Sequence, residues 1–447
     1  MEESIQRGKS RRSGGPGRLW TRLLTLGGHP LETRRALREG EGRFLRHVLL
    51  ALLLGTSTGF LVAAFDFLLK DQAVWYLYAL RSPLAYVLLP PAGLLLSVFV
   101  VRNLVPSREG HLTEDYILLY HAEDRSMRLA NLPGKMLAAF ATIACGGSLG
   151  LEGPSIYLGS NLGDSLQQRL SEFFGREDRR LLLVAGAAAG MAAIFKAPLT
   201  GLIFAMEAPY KSRMATRALV PAMVASSASY LTFASFAGSE PLFAVEPGRA
   251  AGLAELGLSL LLGLAAGLTA RFFVALAGWV ERWIGLLPGG PYGRAAAAGL
   301  AVGLLGAAVF AASGEPFIYG PGYRLIQHVL QSPVPLDLLL LFLGVKMAAT
   351  AFTLAGGGVG GIFFPMAIMG ILLGELFARL TPAPPPAFYP LLGAAAFLAA
   401  GYRTPLAAVA FVAETTGNPW VLIPAMLAAV AAFLAMGQRG ISKNQKG

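Results

Sequence analysis

Apolar residues along this chain gather into runs of two lengths. Seven long runs, at about 44–69, 84–102, 215–237, 251–283, 295–312, 336–355 and 420–436, are near or above the ~20 residues a spanning helix needs. Shorter runs lie between them, at 134–146, 154–168, 181–195, 198–208, 364–379, 388–400 and 405–415. At 1.5 Å per residue many of these fall short of the ~30 Å hydrocarbon core. Broken helices persist in a membrane only where protein or a water-filled cavity satisfies their backbone. The pattern therefore predicts an all-α polytopic membrane protein with broken and tilted helices. Pro154, Pro198, Pro365 and Pro405 each open an apolar run, where the missing proline N–H had no helical partner. Polar links at 175–180, 211–217, 240–249 and 383–387 read as surface loops.

The runs repeat. Residues 185–207 (AGAAAGMAAIFKAPLTGLIFAME) match 392–414 (LGAAAFLAAGYRTPLAAVAFVAE) at an offset of 207, which places Gly186 on Gly393, Lys196 on Arg403, Pro198 on Pro405 and Glu207 on Glu414. Upstream the offset becomes 211: Lys135-Met136 falls on Lys346-Met347, and 146–159 falls roughly on 356–370. Paired halves with interrupted helices mark a transporter whose site lies where the helices break. The expected organisation is a basic arm at 1–42, with a short amphipathic helix near 31–38. A membrane domain follows at 43–440, in halves of about 43–237 and 250–440, and then a short tail at 441–447.

Composition supports the membrane assignment and narrows the chemistry. The chain has 447 residues, 55% hydrophobic, with a mean hydropathy of +0.57. The 54 glycines suit close helix packing and backbone that approaches a ligand. A single cysteine, Cys145, excludes a disulfide framework. The five histidines (His29, His47, His111, His121 and His328) show no metal-ligand spacing, so neither metal nor cofactor is expected. Eleven Lys and Arg through Arg46 stand against five Glu. Because this arm precedes an apolar run, the positive-inside rule reads it as cytoplasmic, in preference to nucleic-acid binding. Lys135 and Lys346 read as snorkelling side chains or partners of helix C-terminal carbonyls. Glu207 and Glu414 read as structural pairing or capping residues, with a proton relay through Glu207 as the alternative.

The chemistry concentrates in two words, GLEGP (Gly150, Leu151, Glu152, Gly153, Pro154) and GIFFP (Gly361, Ile362, Phe363, Phe364, Pro365). Each sets flexible glycine before a proline that starts a helix, so free N–H groups point out of a helix N-terminus. Such a terminus carries about half a positive charge and binds anions without a fixed cation. Two of them brought together by the repeat make an anion site that can also release its ion. Glu152 is the odd residue. Intramembrane carboxylates are costly and usually functional. Deprotonated, this one competes with the anion for the amides, and protonated it leaves, which couples anion and proton occupancy by exclusion.

At these residues the chain resembles the CLC family of chloride channels and chloride–proton exchangers, in its bacterial form without C-terminal regulatory domains. The resemblance covers about residues 44–440 and rests on GLEGP, GIFFP, KAPLTGLIFAMEA and RTPLAAVAFVAETT in order. It implies a CLC-like inverted repeat, a gating and proton-coupling role for Glu152, and a central anion held by the backbone N–H groups of Ile362 and Phe363. It also implies a homodimer with one pore per subunit, in the bacterial inner membrane, with both termini cytoplasmic. Chloride or similar small anions, protons and the lipid bilayer are the implied partners.

The chain departs from that family at four places. The first filter segment falls on Gly110, His111, Leu112, Thr113 and Glu114, so His111 stands where the family has a serine, with Thr113 as a substitute hydroxyl. Leu151 stands where arginine is common, Ala208 where many exchangers carry an inner proton-transfer glutamate, and Ser442 near the place of a pore-lining tyrosine. The inner anion or proton path is thus expected among His111, Thr113, Glu207, Ala208 and Ser442. The leading expectation is glutamate-gated anion transport linked to protons. An uncoupled chloride channel, suggested by Ala208, and a fluoride–proton exchanger are the alternatives. A membrane-embedded hydrolase is disfavoured, because no nucleophile–base pair or metal set is present.

Overall fold

The computed structural model describes residues 30–106, 112–122, 125–173, 180–243, 245, 250–381 and 387–447. Helix α1 (Pro30–Asp66) runs on through a π-helical stretch, Phe67–Val74, into α2 (Trp75–Ala79). The short helix expected near 31–38 is thus not separate but part of α1, which continues to Asp66. Met1–Leu49 form one compact unit and Leu50–Gly447 another.

In the second unit the halves unfold in parallel order. The first comprises α3 (Pro83–Leu104), α4 (Leu112–His121), α5 (Leu132–Ala144), α6 (Glu152–Arg169), α7 (Leu181–Phe195), α8 (Pro198–Glu207) and α9 (Leu219–Ala237). The second comprises α10 (Leu253–Gly285), α11 (Gly290–Ser313), α12 (Tyr323–Gln331), α13 (Leu336–Ala355), α14 (Phe363–Ala378), α15 (Phe388–Gly401), α16 (Pro405–Thr416) and α17 (Leu422–Met436). Among the described residues no strand forms; there are two isolated bridges, Gly150 with Gly361 and Tyr210 with Lys446. Among the described residues seven helices are long and apolar enough to cross a membrane, close to the seven long runs of the sequence. The span Phe44–Ala79 has 36 residues, about 54 Å of helix against a ~30 Å core, a length that calls for strong tilt. This is a multi-pass integral membrane protein.

Each half is built around one helix buried on every side, α7 in the first and α15 in the second. A helix apolar all round has no solvent face to offer, and AGAAAG and GAAAFLAAG supply the small side chains that let neighbours close in. Helix α7 packs between α6 and α9, and α15 between α14 and α17. The tightest crossings coincide in the two halves. A Cβ on Gly186 would overlap the carbonyl oxygen of Gly159, and one on Gly393 that of Gly370. Both buried helices end in a left-handed non-glycine residue, Lys196 at φ 52° and Arg403 at φ 58°. That rarely used conformation reverses the chain into Pro198 and Pro405, the first residues of α8 and α16.

Helices α8 and α16 lie against each other and are cross-capped. Glu207, the last residue of α8, accepts the Leu406 and Ala407 N–H groups at 3.3 and 3.0 Å, at the start of α16. Glu414 of α16 accepts the Leu199 and Thr200 N–H groups at 2.9 and 2.6 Å, at the start of α8. Each acidic side chain thus satisfies orphan donors at the positive end of the other helix.

Candidate functional site

The two Gly-to-Pro words meet directly. Gly150 and Gly361 exchange both backbone hydrogen bonds at 2.8 Å, a two-residue antiparallel bridge that holds the breaks of the two halves face to face. Immediately after it α6 starts at Glu152 and α14 at Phe363, with Leu151 and Ile362 as N-caps that make no side-chain cap. Their first amides are therefore left for something else. Glycine is required at this bridge, because a Cβ on either Gly150 or Gly361 would collide with the Glu152 carboxylate.

Glu152 lies between the two termini and is 1% exposed. Its Oε1 accepts the Phe364 N–H of α14 at 3.1 Å, while Oε2 is buried and makes no hydrogen bond within the protein. The carboxylate thus lies at the N-terminus of α14, on the amide one residue beyond the expected pair of Ile362 and Phe363. Lys346 lies within electrostatic reach of it. The lysine is fully buried, and its Nζ donates to the Gly320 carbonyl at 3.5 Å. Its repeat mate, Lys135, is buried as well, paired with Asp115 and 4.8 Å above the Tyr157 ring. Neither lysine snorkels, contrary to the reading from sequence. Lys135 in the first turn of α5 and Lys346 in the middle of α13 both face the protein core, where a carboxylate, carbonyl or ring replaces water. Position 326, which the 211-residue offset sets against Asp115, is an isoleucine. The first half's lysine is therefore neutralised within its own half, whereas Lys346 faces Glu152.

Phe363 is enclosed by four rings contributed pairwise by the repeat. Phe195 and Phe411 lie 5.6 and 5.1 Å from it, and Phe204 and Tyr402 lie 5.4 and 5.8 Å away. The flanking pairs are edge-to-face in each case, Phe195–Phe411 at 73° and Phe204–Tyr402 at 74°, a favoured aromatic geometry. The 207-residue offset relates Phe195 to Tyr402, so the cage is two-fold apart from a single hydroxyl. That hydroxyl lies near the Ile362 backbone and the Thr113 side chain.

Of the first filter segment, Gly110 and His111 lie outside the described residues. Leu112 opens α4, and Thr113 is buried with an Oγ1 that makes no hydrogen bond in the protein. Glu114 accepts the Asn444 Nδ2–H at 2.8 Å and is also bonded by Ser442. The segment after α17 is therefore not a loose tail. Ile441 N–H donates to Gly401 O at 2.8 Å, Gln445 Nε2 donates to Ala208 O and Tyr402 O, each at 2.9 Å, and Lys446 bridges Tyr210. This strap buries Ser442 and Gln445, because its polar groups fill backbone acceptors that the ends of α8 and α15 leave open. Ala208 contributes only that carbonyl, and Glu207 spends both carboxylate oxygens on its cap.

Asp115, Tyr402 and the strap residues other than Ser442 are the parts of the site that the sequence reading missed. The repeat did carry a signal for Tyr402: aligned on Phe195, it is the one polar substitution in an otherwise apolar helix end.

A model of the voltage gated chloride channel family matches residues 92–437. The H(+)/Cl(-) exchange transporter ClcA of Citrobacter koseri is 29% identical over 439 residues, spanning 90% of this chain and 87% of that protein. The transporter of the same name from Cronobacter sakazakii is 30% identical over 316 residues, 68% of this chain and 66% of that protein. Among solved structures, a slow cyanobacterial Cl−/H+ antiporter superposes with a TM-score of 0.80 at 23% identity, covering 89% of this chain and 96% of that one. A CLC-type fluoride/proton antiporter superposes with a TM-score of 0.76 at 21% identity, covering 90% and 98%.

Proposed function

The chain belongs to the voltage gated chloride channel family, and from that premise we propose that it carries chloride or similar small anions across a membrane, gated by Glu152 and linked to protons. It is a transporter, not an enzyme. The observation that carries the reading is the buried Glu152 carboxylate on the Phe364 N–H, at a helix terminus built to receive an anion. Ionised, the carboxylate holds that place; protonated, it gives the place up to the permeant ion. The exchange relatives named ClcA support chloride and protons as the pair moved.

The bilayer covers the outer apolar surface, and a second copy covers the face where Leu199, Met223, Leu406, Ile423 and Val430 project from α8, α9, α16 and α17. The assembly is a homodimer with a pore in each subunit. It lies in a bacterial inner membrane with the N-terminal arm and the 441–447 segment cytoplasmic, a placement that the basic arm and the Lys211–Arg217 loop favour.

Chloride efflux and proton uptake recorded together from liposomes holding the purified protein test the reading. Chloride moving down its gradient should drive protons up theirs. Chloride flow with no proton movement would favour the uncoupled channel, for which Ala208 is the specific observation. Fluoride outcompeting chloride in the same efflux would favour the fluoride exchanger, which the absent filter serine suggests.

A further inference from the structure

We propose that the cavity beside the loop joining α4 to α5 is a binding site for the phosphate of an anionic phospholipid headgroup. The cavity holds about 450 Å³, within the range of small-molecule pockets. Its floor is made of Asp115, Asn131, Lys135 and Tyr157, none more than 5% exposed. Arg125, Ser126 and Arg128 line its exposed side. Among the described residues the lining thus carries three cations against one carboxylate. Lys135 and Asp115 pair with each other, so the excess charge is that of the two arginines. Guanidinium groups match phosphate oxygens two bonds at a time, and Ser126 and Asn131 add a hydroxyl and an amide as neutral donors.

The loop is held in place from behind. Arg180 donates from Nη2 to the Ala122 and Arg125 carbonyls, each at 2.6 Å, and from Nη1 to Asp164 at 3.0 Å. Asp164 in turn accepts the Met127 N–H at 2.7 Å, and Asn161 donates to the Arg128 carbonyl at 3.2 Å. A buried ion pair therefore fixes the backbone of a surface loop. It does so from a residue at φ 77°, in the left-handed region that residues other than glycine rarely adopt. Strain of this kind persists where surrounding contacts over-determine it, typically at ligand sites. A loop already ordered spares its ligand the cost of ordering it.

Two placements favour a lipid over a soluble phosphate ester. Leu104 and Leu129, within two positions of the lining residues Pro106 and Arg128, are 54% and 39% exposed. An apolar surface thus adjoins the basic cavity, as acyl chains adjoin a headgroup. The end of α4 also meets the segment leading into the basic loop Lys211–Arg217. The Tyr120 and Tyr210 hydroxyls share a hydrogen bond at 3.2 Å, and His121 Nε2 lies 2.6 Å from the Pro209 carbonyl. The cavity therefore lies on the side where cations gather, and anionic headgroups are drawn to such a side of a membrane protein.

Full-length protein, purified in detergent and stripped of lipid, is titrated with phosphatidylglycerol, phosphatidylcholine or glycerol phosphate. Mass spectrometry of the intact complex reads the fraction of chains carrying each. Phosphatidylglycerol should bind about tenfold or more tightly than phosphatidylcholine, whose own ammonium offsets the phosphate. Arg125→Gln and Arg128→Gln together should weaken phosphatidylglycerol about tenfold or more, with phosphatidylcholine and the thermal unfolding temperature unchanged. Glycerol phosphate, without acyl chains, should bind more weakly than phosphatidylglycerol. Glycerol phosphate that binds as tightly overturns the lipid and leaves a soluble phosphate ester as the occupant. Phosphatidylglycerol that binds no better than phosphatidylcholine, or equally well to the double variant, overturns the site. Should the double variant not fold, Arg128→Gln alone decides: a loss of about threefold or more supports the site, and wild-type affinity overturns it.

Discussion

Replacing Glu152 by glutamine isolates the competition between carboxylate and anion. The substitution keeps size and one hydrogen-bond acceptor, so the contact to the Phe364 N–H at 3.1 Å can persist without charge. A hydrogen bond to a charged group contributes about 1.5–3 kcal/mol and a neutral one about 0.5–1.5, a difference near 1 kcal/mol. The helix N-terminus adds about 0.5–2 kcal/mol of preference for an anion. Together the ionised gate is favoured over the amide by about 1.5–3 kcal/mol, which a competing chloride must overcome. The Glu152→Gln protein should therefore bind chloride about 10- to 150-fold more tightly at neutral pH. Chloride titrated calorimetrically into the detergent-purified proteins measures this. The sign of the pH effect follows from the same competition. Acid neutralises the carboxylate and frees the amides, so wild-type efflux from liposomes rises as pH falls, while the variant's efflux is flat. Wild-type chloride affinity together with a pH-dependent flux in Glu152→Gln would refute the gate.

Three further outcomes follow from the scaffold. Gly186→Ala forces a methyl into the Gly159 carbonyl and should destabilise the protein by about 1–3 kcal/mol; an unchanged thermal unfolding temperature in detergent would contradict the crossing. Lys135→Met removes the cation paired with Asp115 in a site where the two side chains are 4% and 7% exposed, costing about 3–5 kcal/mol, and Asp115→Leu added to it should recover most of that loss in the same assay. Glu207→Gln should weaken the cap on α16 by about 1 kcal/mol yet leave the proton-to-chloride ratio as in wild type; a collapsed ratio would return Glu207 to the proton path.

Much of this architecture was legible from patterning. Run length alone separated spanning helices from broken ones, because hydrocarbon thickness sets a minimum length that α8, at ten residues, cannot meet. Glu152, the proposed gate, stood out for a related reason: a carboxylate in an apolar, glycine-rich word is too costly to be incidental. Other residues were misread because one-dimensional context names a side chain without naming its surroundings. Lys135 and Lys346 look alike in the repeat, yet one faces Asp115 and the other Glu152. Ser442 and its neighbours look like a polar tail, yet the open acceptors of α8 and α15 draw them into the protein.

The sequence by itself determined the helices, their breaks, the two-fold scaffold and Glu152, since each depends on local periodicity, on Gly and Pro, or on the cost of a charge in lipid. Only the tertiary structure decided what the gate meets. The Gly150–Gly361 bridge and the cage around Phe363 join residues between 39 and 211 positions apart in the chain. No local preference encodes such meetings. They arise when small residues in α7 and α15 let the two halves close until their helix termini face one another.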